Sequence, residues 1–321
     1  MKIVAVLPPS DQIPAQEKLL QGMLRDHEIR IVTSQDALLP HLPDTDLLVS
    51  TAFVPITPEM IQNAPRLRFI QVAGVGVDHI DVDAARAAGI TIANVAAANA
   101  VSVAEHVLMV ALAMTRDLCN AHNAMRAGQW SLPQWMGRAR ELAGLTVGIV
   151  GMGRIGREVA RRLLPFGVTI LYYDVQPLDQ ATEDELGVTM LPFDDLLAAA
   201  DIITVHVPLT ETTYHLFDAA AFGKMRPGAY FINAARAEIV DEAALVDALQ
   251  TRLGAAAIDV FSPEPPPPDH PLFSLPNVIL TPHGAGVTIN AQQRIAQGAI
   301  QNVLRYLDGR PLADVVVQGT R

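Results

Sequence analysis

A single cysteine, Cys119, stands among the 321 residues, so no intramolecular disulfide can form. That composition fits a reducing cytoplasm. The thiol lies beside the apolar stretch 107–118, which predicts a packed cysteine. Basic charge is also short: 23 Lys and Arg face 34 Asp and Glu, for a formal net charge of −11. Such a chain is poorly suited to nucleic acid or an anionic membrane surface, although a local basic pocket can still hold an anion. No long hydrophobic run is present. The most apolar segment, Val107–Met114, is flanked by Glu105, His106 and Arg116, whereas a membrane span needs about 20 residues. It reads as a buried helix, with a subunit interface as one use. The run Ile3–Leu7 is too short for a signal peptide and reads as a first strand. There is no short repeat, no low-complexity tail and no metal-ligand spacing of the usual kinds.

What is present is an alternation of short β-rich runs with helical patterns, the mark of βαβ units and a parallel α/β sheet. Half the residues are apolar, enough for a sizeable core, and the length suggests two domains. A first strand series is expected at Ile3–Leu7, Ile29–Thr33, Leu47–Ser50, Arg68–Val72 and Ile90–Ala93. A helix is expected over 15–26, with Leu19, Leu20, Met23 and Leu24 on one face. A long helix is expected from Val101 to Ala127. A second series is expected at Thr146–Val150, Val168–Tyr173, Thr189–Leu191, Ile202–His206, Ala229–Ile232, Ala255–Asp259 and Val278–Leu280. A final helix, Ile289–Leu307, ends at Gly309 and Pro311, and a short strand, Asp314–Val317, follows. Pro263–Pro268 reads as a rigid loop over a site rather than a recognition ligand.

The sharpest local motif is Gly151-Met152-Gly153-Arg154-Ile155-Gly156. It follows the strand Thr146–Val150 and opens a helix, the context that a dinucleotide fingerprint requires. Gly151 permits a tight turn, Gly153 admits a pyrophosphate, and Gly156 lets helix and strand pack closely. The next strand ends at Asp174, eighteen residues after Gly156. A carboxylate there accepts from ribose hydroxyls and repels a 2′-phosphate, so NAD is expected over NADP.

Three polar residues follow three late strands: Arg236 after Ala229–Ile232, Glu264 after Ala255–Asp259, and His283 after Val278–Leu280. Ligands of open parallel sheets sit at the carboxyl ends of strands, which places all three toward one site. Arginine grips a carboxylate with two prongs. Histidine exchanges a proton near neutral pH, and a glutamate beside it fixes the tautomer and favours the charged ring. His206 precedes Val207-Pro208, a backbone contact for cofactor. The other histidines, His270 among them, have no comparable context. Gly74-Val75-Gly76, after an early strand, reads as a backbone anion nest.

These pieces together resemble the D-isomer-specific 2-hydroxyacid dehydrogenase family. The resemblance runs over nearly the whole chain, from Ala73–Asp81, Asn99 and Ser102–His106 through Gly151–Gly156 to His206–Thr210, Asn233–Arg236, Asp259–Pro265 and Thr281–His283. It implies a Rossmann-type cofactor domain, about 99–287, inserted in a flavodoxin-like substrate domain, 1–98 plus 288–321. Arg236, Glu264 and His283 are then the catalytic three. Gly74, Val75, Gly76, Asn99 and Arg236 hold substrate. Gly151, Gly153, Arg154, Ile155, Gly156, Asp174, Val207, Pro208, Thr213, Ala234, Asp259 and Gly286 hold NAD. A homodimer through the cofactor domain is implied, and Trp130, Trp135 and Met136 lie where some relatives reach the partner's pocket, with ordinary packing as the alternative. The family pattern has Gly where this chain has Ala237, and often Pro within 94–99. Longer members carry a regulatory extension, and an added amino-acid-sensing domain is not expected here. The expected activity interconverts a small D-2-hydroxy acid and its keto acid, of glyoxylate or hydroxypyruvate type. The alternatives are an NAD-sensing corepressor-type protein and a family dehydrogenase for an anion such as phosphite.

Overall fold

The computed structural model describes residues 1–7, 9, 17–18, 20–22, 24–51, 54–130 and 132–320. The chain forms two compact units, Met1–Asn99 with Ile289–Arg321, and Ala100–Thr288. The junctions fall one residue beyond the expected 98/99 and 287/288.

The first unit is built on a six-stranded sheet. Its strands are β1 (Lys2–Val6), β2 (Glu28–Val32), β3 (Leu47–Ser50), β4 (Phe69–Val72), β5 (Thr91–Ala93) and β13 (Val315–Val317), in the order β13-β5-β4-β3-β1-β2. All neighbours are parallel except β13, which runs antiparallel to β5. Buried side chains cover both faces. Val4, Leu48, Ile70 and Ile92 pack one way, while Ile3, Leu47, Phe69 and Val303 pack the other. Double-sided burial explains why these strands read as continuous apolar runs rather than alternating ones. Of the helix expected over 15–26, residues 17–18 and 20–22 are helical. Leu19 and Met23 of its expected face lie outside the described residues.

The second unit carries a seven-stranded, all-parallel sheet. Its strands are β6 (Thr146–Val150), β7 (Thr169–Tyr173), β8 (Val188–Met190), β9 (Ile202–Val205), β10 (Tyr230–Asn233), β11 (Ala255–Ile258) and β12 (Val278–Leu280). They lie in the order β12-β11-β10-β9-β6-β7-β8. The chain winds outward from β6 in one direction through β7 and β8, then returns to β9 and winds the other way. The reversal between β6 and β9 is the place where a doubly wound sheet opens a ligand crevice at its carboxyl edge. Two cores sandwich the sheet. One contains Val107, Ala111, Val159 and Ile149, and the other Leu196, Phe222, Phe231 and Leu249.

Two expectations fail here for one reason. The single helix expected from Val101 to Ala127 is two helices, Ala100–Thr115 and Leu118–Arg126. Asp117 between them adopts a left-handed conformation with φ 48°, which Asp tolerates better than most residues. The Thr115 hydroxyl bonds back to Ala111 O, and Arg140 N–H takes the Thr115 carbonyl that a continuing helix would use. The second helix therefore points elsewhere, buries only Ala121, and leaves Cys119 exposed rather than packed. Beyond it, Trp130 and Met136 are 75% and 76% exposed. Among the described residues, no helix is long and apolar enough to cross a membrane.

Candidate active site

The phosphate loop lies at the strand-order reversal. Gly151 has φ 100°, and a Cβ there would stand 2.7 Å from His206 C and Val207 N. Only glycine allows the turn after β6 to lie against the turn after β9. At Gly156 a Cβ would stand 2.2 Å from Gly151 O, so the helix Arg154–Leu163 can hug β6 only with glycine there. At Gly153 the same construction meets nothing within 4 Å. The loop is thus closed on its protein side and open at its middle glycine. Gly153 caps the helix without any side-chain hydrogen bond, and a helix N-terminus of this kind presents its backbone to an anionic ligand.

Asp174 ends the next strand. Its Oδ2 accepts from Met152 N–H at 2.7 Å and its Oδ1 from Gln176 N–H at 3.0 Å. Each carboxylate oxygen has two lone pairs, so the group both braces the phosphate loop and keeps capacity for a ribose hydroxyl. These features fit a dinucleotide. Across the reversal, Val207 and Pro208 open a loop closed by Thr213, whose hydroxyl donates to Pro208 O at 2.6 Å and accepts from Thr210 N–H at 2.8 Å.

Arg236, Glu264 and His283 leave the carboxyl ends of β10, β11 and β12, three adjacent strands. Neighbouring strands lie about 4.8 Å apart, which puts the three segments side by side. His283 Nδ1 is 2.8 Å from Glu264 Oε2 and 3.0 Å from Oε1. Both side chains keep access to solvent, at 45% and 38% exposure. The Phe261 N–H donates to Glu264 Oε1 at 3.0 Å and orients the carboxylate. With Nδ1 donating to Glu264, Nε2 is the ring nitrogen left for a ligand. Arg236 begins the short turn Ala237–Ile239; its carbonyl accepts from Asn233 Nδ2 at 2.9 Å, and its Nη1 donates to Ala235 O at 2.6 Å.

His283 itself is held in a left-handed conformation, φ 50°, a strain on the order of 1–3 kcal/mol. Asp259 at the end of β11 enforces it. The Asp259 carbonyl accepts from His283 N–H at 2.7 Å. Its carboxylate accepts from Thr281 Oγ1 at 2.5 Å, Gly284 N–H at 2.8 Å and Ala285 N–H at 2.8 Å. Asp259, expected among the cofactor residues, gives the hydrogen bonds of its buried carboxylate to the turn that carries His283. Ala234 and Gly286 flank the same edge and are half-buried.

The nest residues belong to the other unit. Val95 N–H donates to Gly74 O at 2.9 Å, and Asn94 Nδ2 to Val75 O at 2.6 Å. The loop's carbonyls are thereby tied to the end of β5. Asn94, a buried side chain the sequence reading passed over, does half of this. Asn99 Oδ1 is buried with no hydrogen-bond partner, an acceptor whose desolvation a ligand would offset. Among the described residues, no group of three or more His, Cys, Asp or Glu is placed to hold a metal ion.

Residues 108–285 match the family model for the NAD binding domain of D-isomer specific 2-hydroxyacid dehydrogenases. The chain belongs to that family. Its second unit is therefore an NAD-binding domain. A D-3-phosphoglycerate dehydrogenase of Archaeoglobus fulgidus is 39% identical over 307 residues, 94% of this chain but 58% of that protein. A glyoxylate reductase of Thermofilum pendens is 40% identical over 279 residues, 86% of this chain and 82% of that one. The solved structure of an NAD-dependent formate dehydrogenase from Staphylococcus aureus, in complex with NAD, superposes with a TM-score of 0.89 at 36% identity, covering 99% of this chain and 100% of that one. These family members differ in the substrate they are named for, so membership alone leaves the substrate to the chemistry of the site.

His206 shows what the family fold does to a residue the motif merely brackets. The residue keeps partial surface, but its ring is packed away from water, and burial lowers its pKa to about 3. Its Nε2 lies 3.0 Å from Thr204 Oγ1. A neutral histidine depressed in this way stabilises the fold fully above the unfolded-state pKa near 6.5. The contribution is lost as pH falls toward the folded value, at about 1.4 kcal/mol per pH unit. Between pH 6.5 and 5 the loss is on the order of 2 kcal/mol. Urea titrations at both pH values should show a smaller acid loss for His206→Gln than for the unsubstituted protein. Equal losses would remove His206 as the source.

Proposed function

We propose that this protein is an NAD(H)-dependent oxidoreductase that interconverts a small D-2-hydroxy acid and its 2-keto acid, working chiefly as a keto-acid reductase of the glyoxylate or hydroxypyruvate type. The observation that carries this reading is the His283–Glu264 pair, standing at the carboxyl edge of the sheet that bears the phosphate loop. NADH, which the Gly151–Gly156 loop and Asp174 would hold, would supply the hydride that reduces a carbonyl carbon. The carbonyl oxygen then needs a proton, and charged His283 gives it from Nε2 while Glu264 holds Nδ1 and balances the ring's charge. Arg236 takes the substrate carboxylate in a two-pronged contact and stabilises charge growing on the oxygen. In the oxidative direction neutral His283 takes the hydroxyl proton.

The pair also discriminates among the chemistries named in the family. Oxidising formate moves a hydride from carbon and leaves carbon dioxide, with no hydroxyl proton to manage. A carbinol needs an acid/base group, a role that the His283–Glu264 geometry suits. The apolar side chains of Met109, Leu118, Met125, Trp130 and Met136, each more than half exposed, support a homodimer through the NAD-binding unit; sedimentation as a monomer at assay concentration would remove that part. A reducing, cytoplasmic setting is the one in which exposed Cys119 stays a free thiol.

The direct test is a panel of 2-keto acids (glyoxylate, hydroxypyruvate, pyruvate, phenylpyruvate) with NADH, alongside formate and phosphite with NAD. Turnover is expected on the short keto acids and on neither formate nor phosphite. NAD binding without turnover on any keto acid would favour a sensing protein and overturn the reading.

A further inference from the structure

The loop that carries Glu264 is fastened by a histidine outside the chemistry described so far. His270 is 5% exposed. Its Nδ1 accepts from Leu272 N–H at 3.4 Å, so the ring proton sits on Nε2. Nε2 in turn lies 3.0 Å from Glu242 Oε2, on the first residue of the helix Glu242–Thr251. The imidazole stands edge-on to the Phe261 ring at a centroid distance of 5.4 Å and an interplanar angle of 88°. Phe273 lies against it at 5.4 Å. Phe261 is the residue whose backbone N–H orients Glu264 Oε1, and that oxygen is 3.0 Å from His283 Nδ1. The contacts run without a gap from Glu242 through His270 and Phe261 to Glu264 and His283.

We propose that His270 is a positioning residue for the His283–Glu264 pair. Tethered by Glu242, it wedges the Phe261 ring and so holds the amide that aims Glu264 at the imidazole. The physical need is plain. Glu264 sits in a partly exposed loop with two equivalent oxygens, and a proton-transfer group loses much of its advantage when its partner drifts by a fraction of an ångström. A buried aromatic wedge fixed by a charge-assisted hydrogen bond restrains the loop from behind without occupying the site. The proposal rests on His283 acting as acid/base with Glu264 as its partner.

The test compares His270→Ala, His270→Phe, Glu242→Ala, Glu264→Gln and the double variant His270→Ala with Glu264→Gln. Each full-length protein is assayed with NADH and the fastest keto acid of the panel, across pH. Glu264→Gln replaces the carboxylate that contacts His283 Nδ1 by an amide, so the high-pH limb of reduction should move. His270→Ala should lower kcat about 10-fold, leave KM for NADH unchanged, and move the same limb the same way. His270→Phe keeps the wedge and should recover most of the rate. The double variant should be no worse than Glu264→Gln alone, because both act through one carboxylate. Glu242→Ala, at an exposed site, should reproduce a milder limb shift and guards against a misfolded His270→Ala. A wild-type kcat and pH limb in both His270→Ala and Glu242→Ala, with only Tm lowered, would overturn the proposal. So would losses that multiply in the double variant. A Glu264→Gln protein with a wild-type limb would instead bring down the acid/base reading itself.

Discussion

His283→Ala is expected to lower kcat for keto-acid reduction by roughly 10²–10⁴. The imidazole is the only titratable group at the end of β12, and with Glu264 on Nδ1 its Nε2 is the nitrogen placed to donate. Alanine leaves the turn at φ 50°, held as before by the Asp259 carbonyl and carboxylate. The loss therefore reports proton transfer more than collapse of the site. NADH affinity, set by the loop at 151–156 on another strand, should change little. Stopped-flow turnover together with a fluorescence titration of NADH separates the two. Turnover within a fewfold of the unsubstituted protein would remove His283 from the chemistry, and Glu264 with it.

The second large effect is at the phosphate loop, where two glycines ought to behave in opposite ways. Gly156→Ala places a methyl 2.2 Å from Gly151 O, a backbone atom that cannot swing aside. The helix Arg154–Leu163 must lift off β6, and overpacking of this kind costs about 1–3 kcal/mol or more. Since the same shift misplaces the first-turn amides, NAD affinity should fall by about 100-fold, equivalent to roughly 2.7 kcal/mol. Gly153→Ala meets no protein atom within 4 Å and sits at φ −72°, so the fold should tolerate it. Its methyl enters the space left for the pyrophosphate, and affinity should drop with the melting temperature of the unliganded protein unchanged. Calorimetric titration and thermal melts of both variants check this. Equal effects of the two substitutions on apo stability would show that the loop is not closed on one side and open on the other.

Much of this architecture was legible in the letters. The parallel strands announced themselves as short apolar runs because both faces of each sheet are covered. β3, β6 and β12 were placed to the residue, and the other strands within a residue or so at each end. The phosphate loop was legible because its requirements are local: a strand, three glycines at fixed spacing, and a helix. The pairing of Glu264 with His283 was inferred from strand ends, since parallel strands deliver their carboxyl termini to one edge. What failed was local too, but depended on competition. The pattern 101–127 is helical throughout by propensity, yet Thr115 and Asp117 end the helix because Arg140, from a distant segment, takes the carbonyl that would continue it. Cys119 then turns to solvent.

The sequence by itself determined the two strand series, the dinucleotide turn and the residue types at the ends of β10, β11 and β12, because each is set by side-chain periodicity or by a backbone requirement within a few residues. Only the tertiary structure decided that Asp259 clamps the turn of His283, that Asn94 ties the nest, that His206 is kept neutral, and that Glu242 reaches His270. Those contacts join residues that are neighbours in space but separated along the chain, by nineteen positions at Val75 and Asn94 and more at Asp259 and Ala285. Their energies come from burial and from hydrogen bonds that exist only once the sheet has brought its loops to one edge.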